Sequence, residues 1–260
     1  MTLLSDESRP GGVTFAFTER TGGVSTGDYA SLNLGSRCGD DPSAVGENRR
    51  RALAALGCAN LLDRLVSPRQ VHGDSVVVVC DGSDDAVEAA QAEAEAGADA
   101  VVCLAKDVPV LLNFADCVPV VLAAPGAFAV AHSGWRGTYA RIAAKALGIL
   151  SEEAGCSPRD VSCYIGPHIR GCDYEVSQEL LDMFVAEFGE SVDAGCRRLD
   201  LARAITMALT DAGASPEAIV VCEDSTATNT DRFFSYRAEK GRCGRHGAMA
   251  VLLGGEVSDG

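Results

Sequence analysis

Short apolar runs alternate along the chain with longer segments in which apolar residues recur three or four positions apart. Runs of the first kind are typical of buried strands, whereas the second spacing indicates helices that pack one face on a sheet. Strands are predicted at residues 11–18, 75–80, 99–104, 108–114, 118–123, 128–132, 161–165, 219–222, 233–237 and 248–253. Helices are predicted at residues 42–56, 138–150, 177–188 and 199–212. Strands mixed with helices throughout the chain predict a layered α/β fold.

Capping residues and turn formers mark the ends of the predicted helices. An acidic pair before Pro42 favours a helix start, and Gly57 favours its end. Thr138 is the predicted cap of the helix that follows it. The Ala- and Glu-rich segment 84–98 is either a short exposed helix or a mobile insertion, and no chemistry is assigned to it. The segment 21–39, rich in Gly, Ser, Thr and Asn, is a long loop of the kind that often carries function.

Composition limits the compartment and the partners. The chain has 260 residues, of which 47% are hydrophobic, enough for one substantial core, and no linker or repeat divides it. Its formal net charge of −15 argues against nucleic acid or an anionic membrane as a partner, because both attract a basic face. Residues 1–10 contain no apolar signal segment, and no apolar stretch reaches about 18 residues, so a cytoplasmic protein is predicted.

The cysteines do not have the pattern of a disulfide framework. Their number, eleven, is odd, and no C-x-x-C pair occurs. Cys80, Cys103 and Cys163 lie inside apolar runs. In a reducing compartment, cysteines in such runs are expected to be small buried hydrophobic side chains. Cys117 is the exception, because it stands just past an apolar run, 15 positions before a histidine that follows an apolar run of its own.

Two histidines and this cysteine form a candidate metal site. Cys117 and His132 each follow an apolar run, and His72 lies upstream in the segment Gln-Val-His-Gly, in a chain with only four histidines. Side chains at strand ends converge where α/β proteins place their active sites. Thiolate and imidazole are favoured zinc ligands, and three protein ligands with an open fourth position form a catalytic zinc site. A Cys-His-His set is also the core of a blue-copper site, so both metals fit the ligand types.

Further residues are candidates for contacts around this site. Asp116 precedes the cysteine and suits a general acid or base, or the support of a ligand. Arg136 follows the second histidine of the trio closely enough to reach an anion held at the metal. His168 follows the end of a predicted strand, and its possible roles are those of a fourth ligand, a substrate contact or a turn residue. His246 is predicted to lie in a turn. The run Arg49–Arg51 is a second source of positive charge for an anion.

Several motifs occur together in an order known from one protein family. They cover residues 31–35, 40–42, 47–49, 70–73, 115–120, 131–138, 165–167, 174–176 and 233–237. Among them are Ala-Asp-Cys-Val-Pro-Val and Ala-His-Ser-Gly-Trp-Arg-Gly-Thr. The chain resembles the laccase-domain family over nearly its whole length. This family is also called the multicopper polyphenol oxidase or peptidoglycan editing factor family and, more recently, the purine nucleoside phosphorylase family.

The resemblance implies a single domain over residues 1–260, with α/β/α layers around a mixed central sheet. It implies Zn2+, with Cu2+ as the alternative, held by His72, Cys117 and His132. It also implies phosphorolysis of adenosine, inosine, guanosine and S-methyl-5′-thioadenosine, together with adenosine deamination. Purine nucleosides and phosphate are therefore the predicted partners. These three residues and Asp116 are the predicted catalytic residues.

Matching motif positions imply substrate contacts as well. Asn33 and Arg49 match positions that the family places at the phosphate or substrate pocket, and Arg51 is close enough in sequence to compete for that role. Arg136 and His168 complete the predicted substrate-binding set. His168 replaces a residue that is frequently cysteine in relatives, which leaves its role open.

Other functions are weighed against this one. A multicopper oxidase needs many more imidazoles than four histidines supply, and no His-x-His pair occurs, which leaves a single copper as the oxidase alternative. The family name suggests a hydrolase that edits peptidoglycan precursors. A zinc-stabilised interaction domain would have a closed site with four ligands. Ser133 replaces a residue that is often alanine in the family, and this small change is not expected to disturb the metal.

Overall fold

Strands form at nearly all of the predicted apolar runs. The structure is a computed structural model, and it describes residues 3–254. Its strands are β1 (Leu3–Leu4), β2 (Val13–Thr18), β3 (Val76–Val79), β4 (Ala100–Cys103), β5 (Val110–Phe114), β6 (Val118–Ala124), β7 (Ala127–Ser133), β8 (Ser162–Ile165), β9 (Ile219–Val221) and β10 (His246–Leu252). Its α-helices are α1 (Pro42–Ala55), α2 (Asp84–Gly97), α3 (Trp135–Tyr139), α4 (Ile142–Ala154), α5 (Gln178–Phe188) and α6 (Leu201–Asp211). Short 3-10 helices lie between them at Pro10–Gly12, Gly27–Tyr29, Ala59–Arg64, Pro158–Asp160, Glu190–Val192 and Pro216–Ala218.

Two sheets contain these strands. The six-stranded sheet has the order β3-β4-β7-β6-β8-β9, with a parallel pair at each edge and antiparallel pairs in its centre. The four-stranded sheet has the order β1-β2-β10-β5 and is antiparallel throughout. The predicted α/β class with a mixed sheet is confirmed, and the structure adds a second, smaller sheet to the β layer.

Apolar side chains on both faces of the sheets hold the layers together. One face of the six-stranded sheet packs against α4, α5 and α6, whose buried residues include Leu147, Phe184 and Ile205. Its other face packs against the four-stranded sheet through residues such as Phe128 and Phe114. The outer face of the four-stranded sheet packs against α1. Each fully buried side chain of this size contributes about 1.5–3 kcal/mol, so these three interlayer cores are a main source of stability.

Alternation along β7 decides which face of the six-stranded sheet carries a candidate ligand. Ala129 faces the helices, whereas Phe128 and Val130 face the other sheet. Because side chains alternate along a strand, His132 lies on the side of Phe128 and Val130. Its ring centroid lies 5.4 Å from that of Phe114 in the four-stranded sheet. The histidine is therefore placed between the two sheets.

Helix α1 begins and ends as its sequence predicts. The Asp41 side chain accepts a hydrogen bond from the backbone N–H of Ser43, and Pro42 occupies the first turn. The chain leaves the helix at Gly57, whose φ of 80° lies in the region that glycine adopts without strain. The prediction for this helix is confirmed.

The Ala- and Glu-rich segment 84–98 is a helix that packs on the sheets. The side chains of Val87, Ala90 and Ala94 in α2 are buried in the core between the sheets, while its acidic residues are exposed. The helix alternative is confirmed, and that of a mobile insertion is wrong. Among residues 3–254, no helix is both long and apolar enough to cross a membrane.

The helix predicted at residues 138–150 is divided in two. Arg141 has a φ of 57°, in the left-handed region, and separates α3 from α4. The predicted cap at Thr138 is wrong, because this residue lies inside α3. Its hydroxyl group lies 2.9 Å from that of Ser133, close enough for a hydrogen bond between the end of β7 and the short helix. The turn after β7 is thus a separate unit that precedes the longer helix.

Two predictions for the C-terminal part of the chain are wrong. Residues 233–237 do not form a strand: residue 233 lies in a bend, residues 234 and 235 have no regular structure, and a turn begins at residue 236. Phe233 and Phe234 are fully buried, so their apolar character reflects core packing and not strand pairing. His246 is not in a turn, because it opens β10 and packs near the rings of Phe114 and Phe233.

The prediction that cysteines inside apolar runs are buried is confirmed for two of the three named residues. Cys103 and Cys163 are buried, and burial raises the pKa of each thiol to about 12, which makes both unreactive. Cys80 is exposed, and the prediction that it is buried is wrong, because β3 ends one residue before it. All eleven cysteines are free.

Candidate metal centre

Strand pairing brings the three candidate ligands together. His72 lies in the loop before β3, Cys117 lies directly before β6, and His132 lies near the end of β7. Since β6 pairs with β7 so that Pro119 is opposite His132, Cys117 comes close to the histidine. One ligand atom from each of the three residues lies within 4.8 Å of the other two. The three side chains are therefore spaced to hold one metal ion.

The centre lies where the chain crosses from one sheet to the other. β5 ends at Phe114 in the four-stranded sheet, and β6 begins at Val118 in the six-stranded sheet. Asp116 in the crossing segment has a φ of 91°, a conformation that costs a non-glycine residue on the order of 1–3 kcal/mol. Backbone strain of this kind is concentrated at functional sites, where surrounding contacts hold it.

Gly134 leaves room for the candidate ligands. A Cβ atom at this position would lie 3.2 Å from Cys117 Sγ and 3.2 Å from His72 Cδ2. Both distances are tighter than ordinary contacts of a Cβ atom, so a larger residue would push on two ligand side chains at once. The glycine of the Gly-Trp-Arg motif is thus explained by its close approach to the centre.

Asp99, which stands in none of the sequence motifs, is a buried carboxylate that contacts the centre. Asp99 lies directly before β4, is fully buried, and lies 2.8 Å from His132 Nδ1 through its Oδ1 atom. It also accepts hydrogen bonds from the backbone N–H groups of residues 71–73. The sequence does contain one sign of this residue, because Asp99 stands directly before an apolar run and would be buried with it. A carboxylate that is buried in this way needs hydrogen-bond donors around it.

The charges in the centre favour a thiolate. Burial opposes the ionisation of Cys117, but His132 and His72 outweigh it and lower the pKa of the thiol below its ordinary value. Burial also opposes the charged form of His132, yet Cys117 and Asp99 raise the pKa of this imidazole. A thiolate therefore stands beside an imidazolium ion. A metal ion that binds there displaces the imidazolium proton.

Within the described part of the chain, no fourth side chain closes the centre. No further His, Cys, Asp or Glu of residues 3–254 joins the group of three. His168 is fully buried elsewhere, where its Nδ1–H donates to Gly166 O at 2.7 Å. The structure brings His168 neither to the centre nor to the wall of the adjoining cavity, in contrast to the ligand and substrate roles that were two of the three alternatives for it.

A cavity with the volume of a small-molecule site adjoins the centre. Its volume is about 690 Å³, within the range of roughly 300–1,000 Å³ that ligand pockets occupy. All three candidate ligands and Asp116 line it. Its arginines are Arg37, Arg136, Arg237 and Arg245. Its aromatic residues are Trp135, Tyr174 and Tyr236.

Three of the cavity arginines carry a charge that no carboxylate of residues 3–254 neutralises in an ion pair. Arg136 stacks on the Trp135 ring at 4.2 Å from its centroid. Arg237 and Arg245 donate hydrogen bonds to backbone carbonyl oxygens. Arg37 alone pairs with a carboxylate. In a chain with a net charge of −15, this wall is a local positive surface suited to an anion.

Asn33 and Arg49 lie behind the cavity wall and not on it. The Asn33 side chain accepts a hydrogen bond from the backbone N–H of Arg245 at 2.8 Å and is fully buried. Arg49 Nε donates to Leu34 O at 2.9 Å, and burial lowers the pKa of Arg49 to about 10. The Asn33 side chain also bonds to the backbone of Gly35, and Arg49 holds the residue before it, so both side chains fix the start of the segment 35–38, which does line the cavity.

The other arginine candidates separate into wall and surface residues. Arg136 lines the cavity, whereas Arg51 forms an ion pair with Glu47 on α1. Arg237 and Arg245 were not indicated by the sequence analysis, although Arg237 closes one of the family motifs. Their role depends on the fold, because they come from the C-terminal part of the chain and reach the cavity only when it forms.

Asp116 lies on the cavity wall in a network of hydrogen bonds. Its Oδ1 atom accepts a hydrogen bond from Thr226 Oγ1 at 2.7 Å, and its Oδ2 atom accepts one from the backbone N–H of Arg237 at 2.7 Å. Its backbone oxygen accepts a hydrogen bond from the N–H of Ile169 at 3.0 Å. These contacts hold its left-handed conformation. Both carboxylate oxygens act as acceptors, which is the arrangement of an ionised side chain.

The fold and the centre together define a class of mixed α/β protein with a three-ligand centre between two sheets. Residues 14–253 match the family described as multi-copper polyphenol oxidoreductase laccase. The chain therefore belongs to this family, and the resemblance of its motifs is confirmed.

Individual relatives show how far the similarity extends. The purine nucleoside phosphorylase of Deinococcus radiodurans is 38% identical over 245 residues, which cover 92% of this chain and 89% of that protein. The purine nucleoside phosphorylase YfiH of Escherichia coli is 34% identical over 242 residues, which cover 89% of this chain and 91% of that protein. The crystal structure of YlmD from Geobacillus stearothermophilus superposes with a TM-score of 0.86 at 30% identity and 97% coverage of both chains. The similarity thus spans most of each chain.

Proposed function

We propose that the protein is a zinc-dependent purine nucleoside phosphorylase. The observation that carries the proposal is an open three-ligand centre on the wall of a cavity that also carries arginines without ion pairs among the described residues. Phosphorolysis brings together a phosphate anion and a nucleoside. The cavity offers positive charge for the first and planar aromatic surface for the second. Similar proteins that bear the name purine nucleoside phosphorylase support the same reaction.

Phosphate is assigned to the arginines of the wall, Arg136, Arg237 and Arg245. A guanidinium group binds two phosphate oxygens at once and so fixes their orientation. Phosphate held in this way is aimed at C1′ of the ribose, and such positioning lowers the barrier of a bimolecular step. As its oxygen forms the bond to C1′, the bond from C1′ to the purine nitrogen breaks and the purine leaves with the electron pair. Arg49 is assigned to support of the segment 35–38.

Asp116 and Tyr174 are assigned the proton contacts. Both oxygens of Asp116 already accept hydrogen bonds, so its role is that of an acceptor, for a ribose hydroxyl group or an attacking water molecule. Burial raises the pKa of Tyr174 to about 12, so the phenol keeps its proton and can donate a hydrogen bond to the leaving purine. Of the roles predicted for Asp116, which were general acid, general base and support of a ligand, these hydrogen bonds favour the general base.

His72, Cys117 and His132 are assigned to hold the metal. Zinc favours thiolate and imidazole ligands, and Gly134 gives these side chains the room that the site requires. Zinc with an open ligand position would polarise a substrate oxygen or lower the pKa of water, which phosphorolysis and deamination respectively require. The proposed phosphorolysis substrates are adenosine, inosine, guanosine and S-methyl-5′-thioadenosine, and adenosine deamination is the proposed second activity.

Product analysis tests this proposal. Purified protein of measured zinc content is incubated with adenosine or inosine, with and without phosphate, and the products are separated by chromatography. We expect ribose 1-phosphate and free base only when phosphate is present, and inosine from adenosine without it. Cys117→Ala should lose zinc and both activities, whereas Cys163→Ala, which changes a buried thiol outside the centre, should keep them. Base release without phosphate, or turnover by a zinc-free variant, would contradict the proposal.

Other functions fit the described residues less well. A multicopper oxidase needs further clustered imidazoles, but His168 and His246 are buried outside the group of three. A closed structural zinc site needs a fourth ligand, which residues 3–254 do not add to the group. Editing of peptidoglycan precursors is tested separately with serine-containing and alanine-containing muramyl peptides, of which an editing hydrolase would cleave one selectively.

A further inference from the structure

One buried carboxylate connects two of the candidate ligands. The Oδ1 atom of Asp99 lies 2.8 Å from His132 Nδ1 and accepts a hydrogen bond from the backbone N–H of His72 at 3.0 Å. Its Oδ2 atom accepts hydrogen bonds from the backbone N–H groups of Gly73 at 2.8 Å and Val71 at 3.1 Å. Every hydrogen bond of this side chain therefore leads to a histidine of the centre or to its neighbour in the chain.

The contact with His132 selects the imidazole nitrogen that is free for a metal. An ionised carboxylate offers only acceptors, so Nδ1 carries the proton of this hydrogen bond. In the neutral imidazole, which remains when a metal ion displaces the second proton, Nε2 offers the lone pair that binds the metal. A second hydrogen bond, from the backbone N–H of His132 to Asp99 O at 2.7 Å, keeps the two residues aligned.

The contacts with residues 71–73 hold His72 in an uncommon conformation. His72 has a φ of 59°, in the left-handed region that costs an ordinary residue about 1–2 kcal/mol. Three successive backbone N–H groups around one carboxylate form a concave anion site, and these charge-assisted bonds offset that cost. Burial gives little support here, because Val71 and His72 are both exposed. The Gln70 side chain fixes the loop before these residues through two hydrogen bonds with the backbone of Asn113, and the carboxylate of Asp99 fixes residues 71–73 themselves.

We propose that Asp99 is a positioning residue that sets the geometry of both histidine ligands and thereby the affinity of the centre for zinc. The inference rests on the metal assignment in the proposed function. Loss of a hydrogen-bond partner behind a zinc ligand lowers metal affinity by about 10–100-fold. Because Asp99 supports two ligands, the effect of its removal should lie near the upper end of that range.

Zinc affinity, measured by competition with a chromophoric chelator, tests the inference without any assay of turnover. Asp99→Ala should bind zinc about 100-fold more weakly than the wild type. Asp99→Asn keeps one acceptor oxygen and should show a smaller loss. Cobalt(II) replaces zinc in a second measurement, because its visible absorption bands report ligand geometry, and both variants should alter these bands. Equal affinities and equal bands in all three proteins would overturn the inference.

Glu19→Gln is the matched control for the loss of a buried carboxylate. Glu19 is 5% exposed and accepts a hydrogen bond from Arg232 Nε at 2.7 Å, and neither residue lines the cavity. This variant should unfold at a lower urea concentration than the wild type and bind zinc with unchanged affinity. An equal loss of zinc affinity in Glu19→Gln and Asp99→Ala would overturn the inference, because the effect would then be one of general stability.

A double-mutant cycle separates the two contacts of the carboxylate. In the His132→Ala background, Asp99→Ala can act only through the loop of His72, so its effect on zinc affinity should be smaller than in the wild type. If the effects of the two single substitutions on zinc affinity simply added in the double mutant, the proposal that Asp99 acts through both histidines would be overturned. If neither Asp99 variant folds, nitrogen-15 NMR of the wild-type zinc protein decides, with a slowly exchanging Nδ1 proton on His132 as the expected result and its absence as the contrary one.

The outcomes also separate this inference from the proposed function. A wild-type protein that binds zinc but does not convert nucleosides would overturn the proposed function alone. Normal turnover with equal zinc affinity in wild type and Asp99 variants would overturn the inference alone. A wild-type protein that binds no zinc would overturn both.

Discussion

Two buried histidines between the sheets have opposite surroundings. The ring centroids of His132 and His246 lie 5.4 Å and 6.5 Å from that of Phe114, and the two residues are 3% and 1% exposed. His132 lies beside the carboxylate of Asp99 and the thiol of Cys117. Neither ring nitrogen of His246 has a hydrogen-bond partner among residues 3–254.

The pKa values of the two imidazoles are therefore shifted in opposite directions. Burial, together with the nearby cations of Arg245 and Arg20, lowers the pKa of His246 to about 3, so this imidazole stays neutral. Burial acts in the same direction on His132, but the thiolate and the carboxylate beside it raise its pKa above the ordinary value. Depth of burial is the same in the two cases. The chemistry of this layer therefore depends on charged partners that other elements supply.

Removing the imidazole of His132 or that of His246 should give the largest difference in zinc affinity between two variants. His132→Ala removes a ligand and leaves Asp99 and Cys117 without their partner, so zinc affinity should fall by more than the roughly 100-fold that loss of an outer partner causes. His246→Leu removes an imidazole outside the group of candidate ligands and should leave zinc affinity unchanged. Chelator competition measures both values. A similar loss in the two variants would show that packing around Phe114, and not the charged partners, determines the centre.

Two arginines, one with and one without an ion pair to a described carboxylate, should likewise differ in their effect on phosphate binding. Arg245 lines the cavity without an ion pair to a described carboxylate, whereas Arg51 pairs with Glu47. A hydrogen bond to a charged group is worth about 1.5–3 kcal/mol, so Arg245→Ala should raise the KM for phosphate by about 10-fold or more. Arg51→Ala should leave this KM unchanged. Steady-state kinetics at varied phosphate measure both, and equal values would remove Arg245 from the phosphate site.

Acid should destabilise the fold through His246. Its pKa of about 3 in the folded protein lies below the value of about 6.5 for an unfolded histidine, so the unfolded chain binds more protons between these values. The free energy of unfolding should then fall as the pH falls below about 6.5, by up to about 1.4 kcal/mol per pH unit.

His246→Leu isolates this contribution, because other titrating groups remain in both proteins. Urea denaturation at pH 7 and pH 5 should show that the wild type loses about 2 kcal/mol more than the variant between these conditions. Parallel losses in the two proteins would mean that His246 has a partner for its proton in solution.

Filling the space beside Gly134 should have the smallest effect on zinc affinity. Gly134→Ala places a Cβ atom 3.2 Å from Cys117 Sγ and from His72 Cδ2, and we expect a loss of about 10-fold in zinc affinity. Gly148→Ala in α4 is the control, because a Cβ atom there meets nothing within 4 Å. It should leave zinc affinity unchanged and raise the free energy of unfolding by up to about 1 kcal/mol. Equal zinc affinities in the two variants would show that the ligands move aside without cost.

Local patterns account for much of the fold and for the candidate ligands. Cys117 and His132 stand out because each follows an apolar run, and strand ends converge in α/β folds. The start of α1 follows from its cap at Asp41. The segment 233–237 shows the limit of this reasoning, since a short apolar run has the same pattern whether it pairs in a sheet or packs into the core as an irregular segment.

The surroundings of the ligands depend on contacts between distant segments. Asp99 precedes an ordinary strand in the sequence, and only the pairing of β4 with β7 brings it to His132. Arg237 and Arg245 reach the cavity from the far end of the chain. Asn33 and Arg49, which the motifs place at the substrate, lie one step behind the wall because their hydrogen bonds are made to the backbone of neighbouring segments.

By itself, the sequence determined the α/β class, most strand positions and the three candidate ligands, because side-chain alternation and ligand chemistry are local properties of the chain. Tertiary structure alone decided that two sheets stack, that one carboxylate reaches two histidines, and which arginines face the cavity. These features arise from the pairing of segments far apart in the sequence. Such pairing brings together groups whose local patterns are independent of one another.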